Sequence, residues 1–127
     1  LFRSAARMLN ISPDEVNADR LSACYKLQQK YGGVVLLKGP GTIVCDGKKL
    51  TIIHEGAPSL ATGGSGDLLT GIIVSLLGQG LSPENAAIVG AALHVRAGFL
   101  EGIKKGMIGT LPMDLCQNIR ELINVKD

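Results

Sequence analysis

Thr62-Gly63-Gly64-Ser65-Gly66-Asp67 runs directly into Leu68-Leu69-Thr70-Gly71-Ile72-Ile73. Three glycines and a serine lead to an acid, and an apolar run with the character of a buried helix follows. Glycine reaches the positive-φ conformations that turn several backbone N–H groups to one side, which makes a concave anion-binding nest. The helix start adds amides with no intrahelical acceptor and a partial positive charge. The segment therefore reads as an anion site, with phosphate as its natural occupant. Asp67 is the unusual member. A carboxylate at the mouth of such a site repels phosphate unless it serves to take a proton from the group that attacks it. The alternative is a first-turn Asp that complements the helix dipole, and the residues alone leave the two readings open.

Three familiar motifs are excluded here. The chain contains no G-x-x-x-x-G-K-S/T and no G-x-G-x-x-G after a strand. Ser65 is not a nucleophile elbow, because Asp67 stands where that motif needs its last glycine.

Upstream, Val34-Val35-Leu36-Leu37 is a continuous apolar run, expected as a strand buried on both faces within a parallel sheet. Lys38-Gly39-Pro40-Gly41-Thr42 follows it. Ligands of open α/β sheets collect at the carboxyl ends of strands, so Lys38 is a candidate phosphate contact and Gly39 and Gly41 allow close backbone approach. The plainer alternative is a surface turn with a solvated lysine.

Taken together, Ala61 to Gly71 resembles the anion-hole and catalytic-Asp segment of the ribokinase-like superfamily. Within it, the adjoining glycines and Leu68-Leu69-Thr70-Gly71 are similar to the ADP-dependent NAD(P)H-hydrate dehydratases, which are metabolite-repair enzymes. Leu36 to Thr42 is similar to the nucleotide-binding turn of the same family. The resemblance implies an α/β fold, a mostly parallel sheet flanked by helices with a β-hairpin. It also implies an activity: dehydration of hydrated NADH and NADPH, driven by ADP in bacterial members and ATP in eukaryotic ones, with Mg²⁺ on the phosphates. By the same resemblance Asp67 is the general base and a substrate contact, Gly64, Ser65 and Gly66 form the anion hole, and Lys38, Gly39, Pro40, Gly41, Thr42 and Gly66 touch the nucleotide. No residue is assigned to a metal. One departure stands out: Ala57 in Glu55-Gly56-Ala57-Pro58 occupies a place where the family more usually has Asn. Two rivals remain, another ribokinase-like kinase of a vitamin precursor or sugar and a nucleotide-binding module without turnover.

A complete domain of that family is longer and carries its first strands and a Pro-His-Pro-Gly segment upstream. Residues 1–127 are therefore expected to be the C-terminal half of one such domain. Half a sheet leaves apolar surface wet at about 25 cal/mol per Å², so the missing half, or another chain, is an expected partner. A fused epimerase domain and a homo-oligomer are further implications of the resemblance.

Composition agrees with this class. A net charge of +2 is too small to argue for nucleic acid, and aromatics at 3% with no Trp leave no base-stacking platform. An apolar content of 46% speaks for a packed globule. Cys24, Cys45 and Cys116 are widely spaced, with neither C-x-x-C nor a His pair, so three reduced thiols in the cytoplasm are expected rather than a disulfide frame or zinc site. The chain opens on Leu1 with no charged-then-apolar leader. No uninterrupted apolar stretch reaches the ~18 residues of a membrane span, and no membrane partner is expected.

The remaining elements follow from local signals. Helices are expected over Ser4–Leu9, Asp19–Tyr31, Gly66–Leu77 and Glu84–Glu101, and a last one after Thr110 as its cap. Ser12-Pro13-Asp14-Glu15 spells a capping box, Gly32-Gly33 a helix stop, and Ser82-Pro83 a helix start. Leu21, Cys24, Tyr25 and Leu27 or Gln28 are the expected buried side of the second helix. Leu111, Leu115, Ile119, Leu122 and Ile123 are the expected stripe of the last, with Met113 and Cys116 in the core. Strands Thr42–Cys45 and Lys48–His54 flank an Asp46-Gly47 hairpin turn. His54 and His94 are expected to be a surface residue and an outward or locally paired one, and Gly102–Gly109 a solvated loop.

Overall fold

The computed structural model describes residues 2–54 and 64–124. Ala57, Thr62 and Gly63 lie outside the described residues. The chain divides into two compact units, Leu1–His54 and Glu55–Asp127.

The first unit begins with three helices, α1 (Arg3–Leu9), α2 (Pro13–Ala18) and α3 (Arg20–Tyr31). The Ser12 capping box forms as expected: Glu15 N–H donates to Ser12 Oγ at 3.1 Å and Ser12 N–H to Glu15 Oε1 at 3.3 Å. The residues after Ser12, Pro13–Ala18, form a six-residue helix. Asp19 caps α3 through the Ser22 amide at 3.0 Å, and Gly32 ends it. Three strands follow, β1 (Val35–Leu37), β2 (Thr42–Cys45) and β3 (Leu50–Ile53), in the order β1-β2-β3. Both pairings are antiparallel, with Leu37 opposite Ile43 and Thr42 opposite Ile53.

The parallel pairing that the resemblance implied is therefore not among the described strands. The reason is connection length. A parallel neighbour needs a crossover of about a dozen residues, whereas β1, β2 and β3 are joined by tight turns. The strand buried along its whole length is likewise β2, the middle one, rather than β1, whose Val35 and Leu36 are only half-buried. The Asp46-Gly47 turn forms as expected. Asp46 Oδ1 accepts from the Lys48 and Lys49 amides at 2.8 and 2.9 Å, and those bonds, that of Lys49 foremost, hold its carboxyl below the usual range.

The core of this unit is Ala5, Ala6, Val16, Ala23, Cys24, Leu27, Leu37, Ile43 and Cys45. The buried side of α3 differs from the expected one: Ala23, Cys24 and Leu27 face inward, while Leu21 and Tyr25 are exposed. Small residues face β1 and β2 because close helix–sheet approach leaves no room for Tyr25. Cys24 Sγ lies 3.8 Å from the Val35 carbonyl and 3.9 Å from that of Ile43.

Burial, with the neighbouring Cys45 second, pushes the Cys24 thiol from 9.0 up to about 11. The folded chain then keeps a proton that the unfolded chain has lost, so this contribution is fully present below pH 9.0 and is lost as pH rises towards about 11. A loss on the order of 2–3 kcal/mol is expected across that window. Urea midpoints on both sides of it, with Cys24→Ala as the flatter reference, check the result.

The second unit is helical in its described part: α4 (Ser65–Gly78), α5 (Pro83–Lys105), a 3-10 turn (Pro112–Asp114) and α6 (Leu115–Ile123). Ser82 caps α5 through the Asn85 amide at 3.3 Å. α5 is central and packs on both α4 and α6. Gly90 permits the α4 contact, since a Cβ there would stand 2.7 Å from Ile73 Cγ1. By length and mean hydropathy α5 is apolar enough to cross a bilayer, but His94, Arg96 and Glu101 interrupt it, and 50% of its most apolar window is buried inside the protein.

Several expectations are corrected here. α5 runs on to Lys105, so Lys104 and Lys105 belong to a helix end, where cations suit the dipole. Thr110 is buried and does not cap α6. Asp114 holds the N-cap position of α6 without a side-chain capping bond to it, and its carboxylate accepts from the Leu111 amide at 2.8 Å across the 3-10 turn. Leu115 is buried, but Leu111, Met113, Cys116 and Ile123 are exposed. The inward positions of α6 are taken by Leu115 and Asn118, a polar residue that apolar periodicity passes over.

Candidate active site

In the first unit, the turn between β1 and β2 carries Lys38, Gly39, Pro40 and Gly41, and Thr42 opens β2. Lys38 and Pro40 are exposed, and Thr42 is buried. The turn is held from behind by Arg20, the first residue of α3. Its Nη1 donates to the Pro40 carbonyl at 2.5 Å and its Nη2 to that of Gly41 at 2.6 Å. A planar guanidinium suits two such acceptors because its donors form a rigid fork. In a trans peptide the N–H points opposite to the C=O, so the Gly41 amide is directed away from Arg20. Lys38 and that amide are the groups this turn offers to an anion.

Gly39 is required by the same contact. A Cβ there would stand 2.6 Å from Arg20 Nη2 and 2.8 Å from Cζ. Gly39→Ala is expected to displace the guanidinium and, with Arg20→Met, to weaken ADP binding about tenfold through one lost charged hydrogen-bond pair. Isothermal titration of both variants and their double checks this. The double should be no weaker than Arg20→Met alone, since both act on one contact. Sequence reading missed Arg20 because its acceptors lie 20 and 21 residues downstream.

In the second unit, Gly64 is the N-cap of α4 with φ 84°, a conformation that requires glycine, and it brings no side chain to cap the helix. The first-turn amides of Ser65, Gly66 and Asp67 have no intrahelical acceptor. The side chains separate by face. Ser65 and Leu69 point inward and are buried, while Asp67 and Thr70 are exposed. Thr70 Oγ1 donates to the Gly66 carbonyl at 2.9 Å. Asp67 thus presents a solvent-accessible carboxylate on the same turn as these amides. Ser65 can offer a ligand only its amide, because its hydroxyl is engaged inside: Oγ and His94 Nε2 are 3.1 Å apart.

His94, expected to point outward or pair locally, is buried and pairs across the helices. His54 is exposed at the end of β3. Lys104 does not border a ligand loop; its Nζ donates to Asn118 Oδ1 at 2.8 Å and Glu121 Oε2 at 2.9 Å.

The family model described as NAD(P)H-hydrate dehydratase matches residues 3–121, through both units and both candidate segments. This chain belongs to the NAD(P)H-hydrate dehydratase family. The bifunctional NAD(P)H-hydrate repair enzyme Nnr of Vibrio cholerae is 48% identical over 120 residues, covering 94% of this chain and 24% of that protein. The ADP-dependent (S)-NAD(P)H-hydrate dehydratase of Neisseria meningitidis is 45% identical over 91 residues, covering 71% of this chain and 31% of that protein. The chain thus spans about a quarter to a third of the length of these relatives. Among solved structures, the ADP/ATP-dependent NAD(P)H-hydrate dehydratase of Bacillus subtilis, co-crystallised with ATP/Mg²⁺, superposes with a TM-score of 0.87 at 24% identity, over 93% of this chain and 43% of that one. That likeness shows the family fold.

Proposed function

We propose that this chain supplies the nucleotide turn and the catalytic base of an enzyme that dehydrates hydrated NADH and NADPH at the expense of ADP or ATP. The observation that carries the reading is Asp67, an exposed carboxylate on the first turn of a helix whose start is glycine-rich and uncapped, inside a family match that runs through the chain. The reading also takes both units as parts of one ribokinase-like domain, which is supported by a match that spans 3–121 without regard to the boundary at His54.

The chemistry follows from the groups. Asp67 takes the proton of the ring hydroxyl as its oxygen attacks the terminal phosphorus of the nucleotide, and the bond from that phosphorus to the nucleotide breaks. The amides of Gly64, Ser65 and Gly66 stabilise the charge on the phosphoryl group in transit. Phosphate then leaves with the C–O electron pair, the neighbouring ring carbon loses a proton, and the ring double bond is restored. Phosphorylation turns a poor leaving group into a good one, which is why a kinase-type site serves a dehydration.

Magnesium fits this scheme only as a companion of the nucleotide. The described residues contain no group of three His, Cys, Asp or Glu side chains that could cage a metal, and Mg²⁺ commonly binds through substrate phosphates. Its contribution there is to neutralise phosphate charge. The exposed Val74, Ile108 and Met113 of the second unit support a further part of the domain beside this chain. The bifunctional names of relatives support a second catalytic domain in the complete polypeptide; that it is an epimerase is what the family resemblance implies. Homo-oligomeric assembly and a cytoplasmic location belong to the same proposal.

The test is made on the complete polypeptide with hydrated NADH and ADP, following the return of the near-ultraviolet absorbance of the reduced nicotinamide. ADP-dependent recovery with phosphate release is the expected result. A phosphorylated alcohol that accumulates, with no recovery, would assign the chain to a kinase instead.

A further inference from the structure

We infer that His94 is a positioning residue for the anion hole, acting through the hydroxyl of Ser65. The inference deepens the function proposed above and rests on it for its kinetic part. Ser65 is the first residue of α4, and its neighbours Gly64 and Gly66 have no side chains to hold the helix start in place. A serine at a helix N-terminus ordinarily spends its hydroxyl on nearby backbone. Here the hydroxyl goes to another helix, 29 residues along the chain. Ser65 is 2% exposed and His94 3%, so the contact is shielded from water, where a hydrogen bond is strongest and its loss costs most.

The contact also has a second point of support. Gly90 sits against Ile73 on the same pair of helices. Contacts rise along α4 from Ser65 to Ile73 as they descend along α5 from His94 to Gly90, the arrangement of an antiparallel pair. Ser65–His94 therefore pins the end of α4 that carries the amides, and Ile73–Gly90 fixes its middle. Either imidazole tautomer keeps the bond, because Nε2 can accept the serine O–H or donate to its oxygen.

A serine 3.1 Å from a histidine nitrogen is also the geometry of a nucleophile and its base. Burial decides against that use. With both side chains almost fully covered, no substrate atom can reach Ser65 Oγ. The group on this turn that faces solvent is Asp67. His94 touches no reacting atom; it fixes where the amides of Ser65 and Gly66 stand.

The experiment uses the complete polypeptide and four variants: Ser65→Ala, His94→Leu, their double, and His94→Gln, whose amide can replace Nε2. Two readouts are taken, the steady-state constants for ADP-dependent dehydration and amide hydrogen exchange over residues 64–68. Ser65→Ala and His94→Leu are expected to lower kcat about 10- to 100-fold, as sub-ångström misplacement does, with KM for ADP within about threefold. Exchange over the first turn should quicken about tenfold. The double variant should be no worse than the weaker single, and His94→Gln should recover most of the loss. Unchanged kcat and exchange in Ser65→Ala, or losses that multiply in the double, would overturn the inference. A wild-type protein that restores no NADH would instead overturn the proposed function, and the exchange cycle would still decide the anchor by itself.

Discussion

Asp67→Asn is expected to lower turnover of hydrated NADH by about 10²- to 10⁴-fold while leaving ADP binding nearly intact, the range for removal of a general base. The asymmetry is what makes the test sharp. Asn has the shape of Asp and preserves the start of α4, where Gly64 sets the N-cap and Leu69 anchors the turn below. It also removes a negative charge beside the amides proposed to bind the phosphoryl group. If Asp67 only complemented the helix dipole, the change would cost a few tenths of a kcal/mol to about 1 kcal/mol of stability, and nucleotide binding would hold or improve with turnover unaffected. A base and a dipole partner thus predict opposite outcomes in kcat. Steady-state kinetics paired with calorimetric ADP titration separates them. Turnover equal to the wild type would remove Asp67 from the chemistry.

Asn118→Ala is expected to destabilise the second unit by about 3 kcal/mol, from the unpaired buried groups it leaves. Asn118 is 1% exposed and joins three partners. Its Nδ2 donates to the Ala97 carbonyl at 3.2 Å and to Glu101 Oε2 at 2.8 Å. Its Oδ1 accepts from Lys104 Nζ at 2.8 Å. The critical partner is Glu101, buried at 3% with Lys105 Nζ 3.4 Å from its other oxygen. Removing the amide leaves a buried carboxyl with one flexible, largely exposed lysine for support. The outer pair of the network matters less. Lys104 and Glu121 are 2.9 Å apart but nearly half exposed, and such pairs contribute little. Denaturant midpoints should therefore fall far more for Asn118→Ala than for Glu121→Ala. Replacing Glu101 and Asn118 together by Leu should recover part of the loss, since a buried polar pair removed whole leaves nothing unpaired. A double variant as unstable as the sum of the singles would show that the network itself is not the source.

These two residues also mark where reading a sequence works and where it stops. The place of Asp67, exposed on the first turn of a helix behind a glycine bend, was legible because everything that sets it is adjacent: glycines that bend the backbone and a helix start that bares amides. The Ser12 capping box, the Gly32 stop, the Asp46-Gly47 turn and the Ser82-Pro83 start share that property. Each is settled by steric preference and hydrogen bonds within a few residues. The family resemblance drew on the same two glycine-rich segments, and it carried the fold class with it.

What adjacency does not contain went unread. Arg20 reaches carbonyls 20 and 21 residues away, His94 meets Ser65 across 29, and Asn118 meets Glu101 across 17. Apolar periodicity placed Leu21 and Tyr25 on the buried side of α3 and Leu111 and Ile123 in the buried stripe of the last helix, yet all four are exposed. A period says that a helix has a buried side; the neighbour decides which residues form it. β1 and β2 required small side chains, so Ala23 and Cys24 turned inward, and α5 offered a buried carboxyl that drew Asn118 rather than a larger apolar residue. Local sterics and hydrogen bonds, legible in the sequence alone, set the Ser12 and Ser82 helix starts, the Gly32 stop, the Asp46-Gly47 turn and the bend at Gly64, whereas the C-terminal end of α5 and the cap of α6 were not legible there. Only the tertiary structure decided the pairing of β1 with β2, the inward faces and the long-range polar contacts that hold both segments from behind, because those depend on groups far apart in the chain.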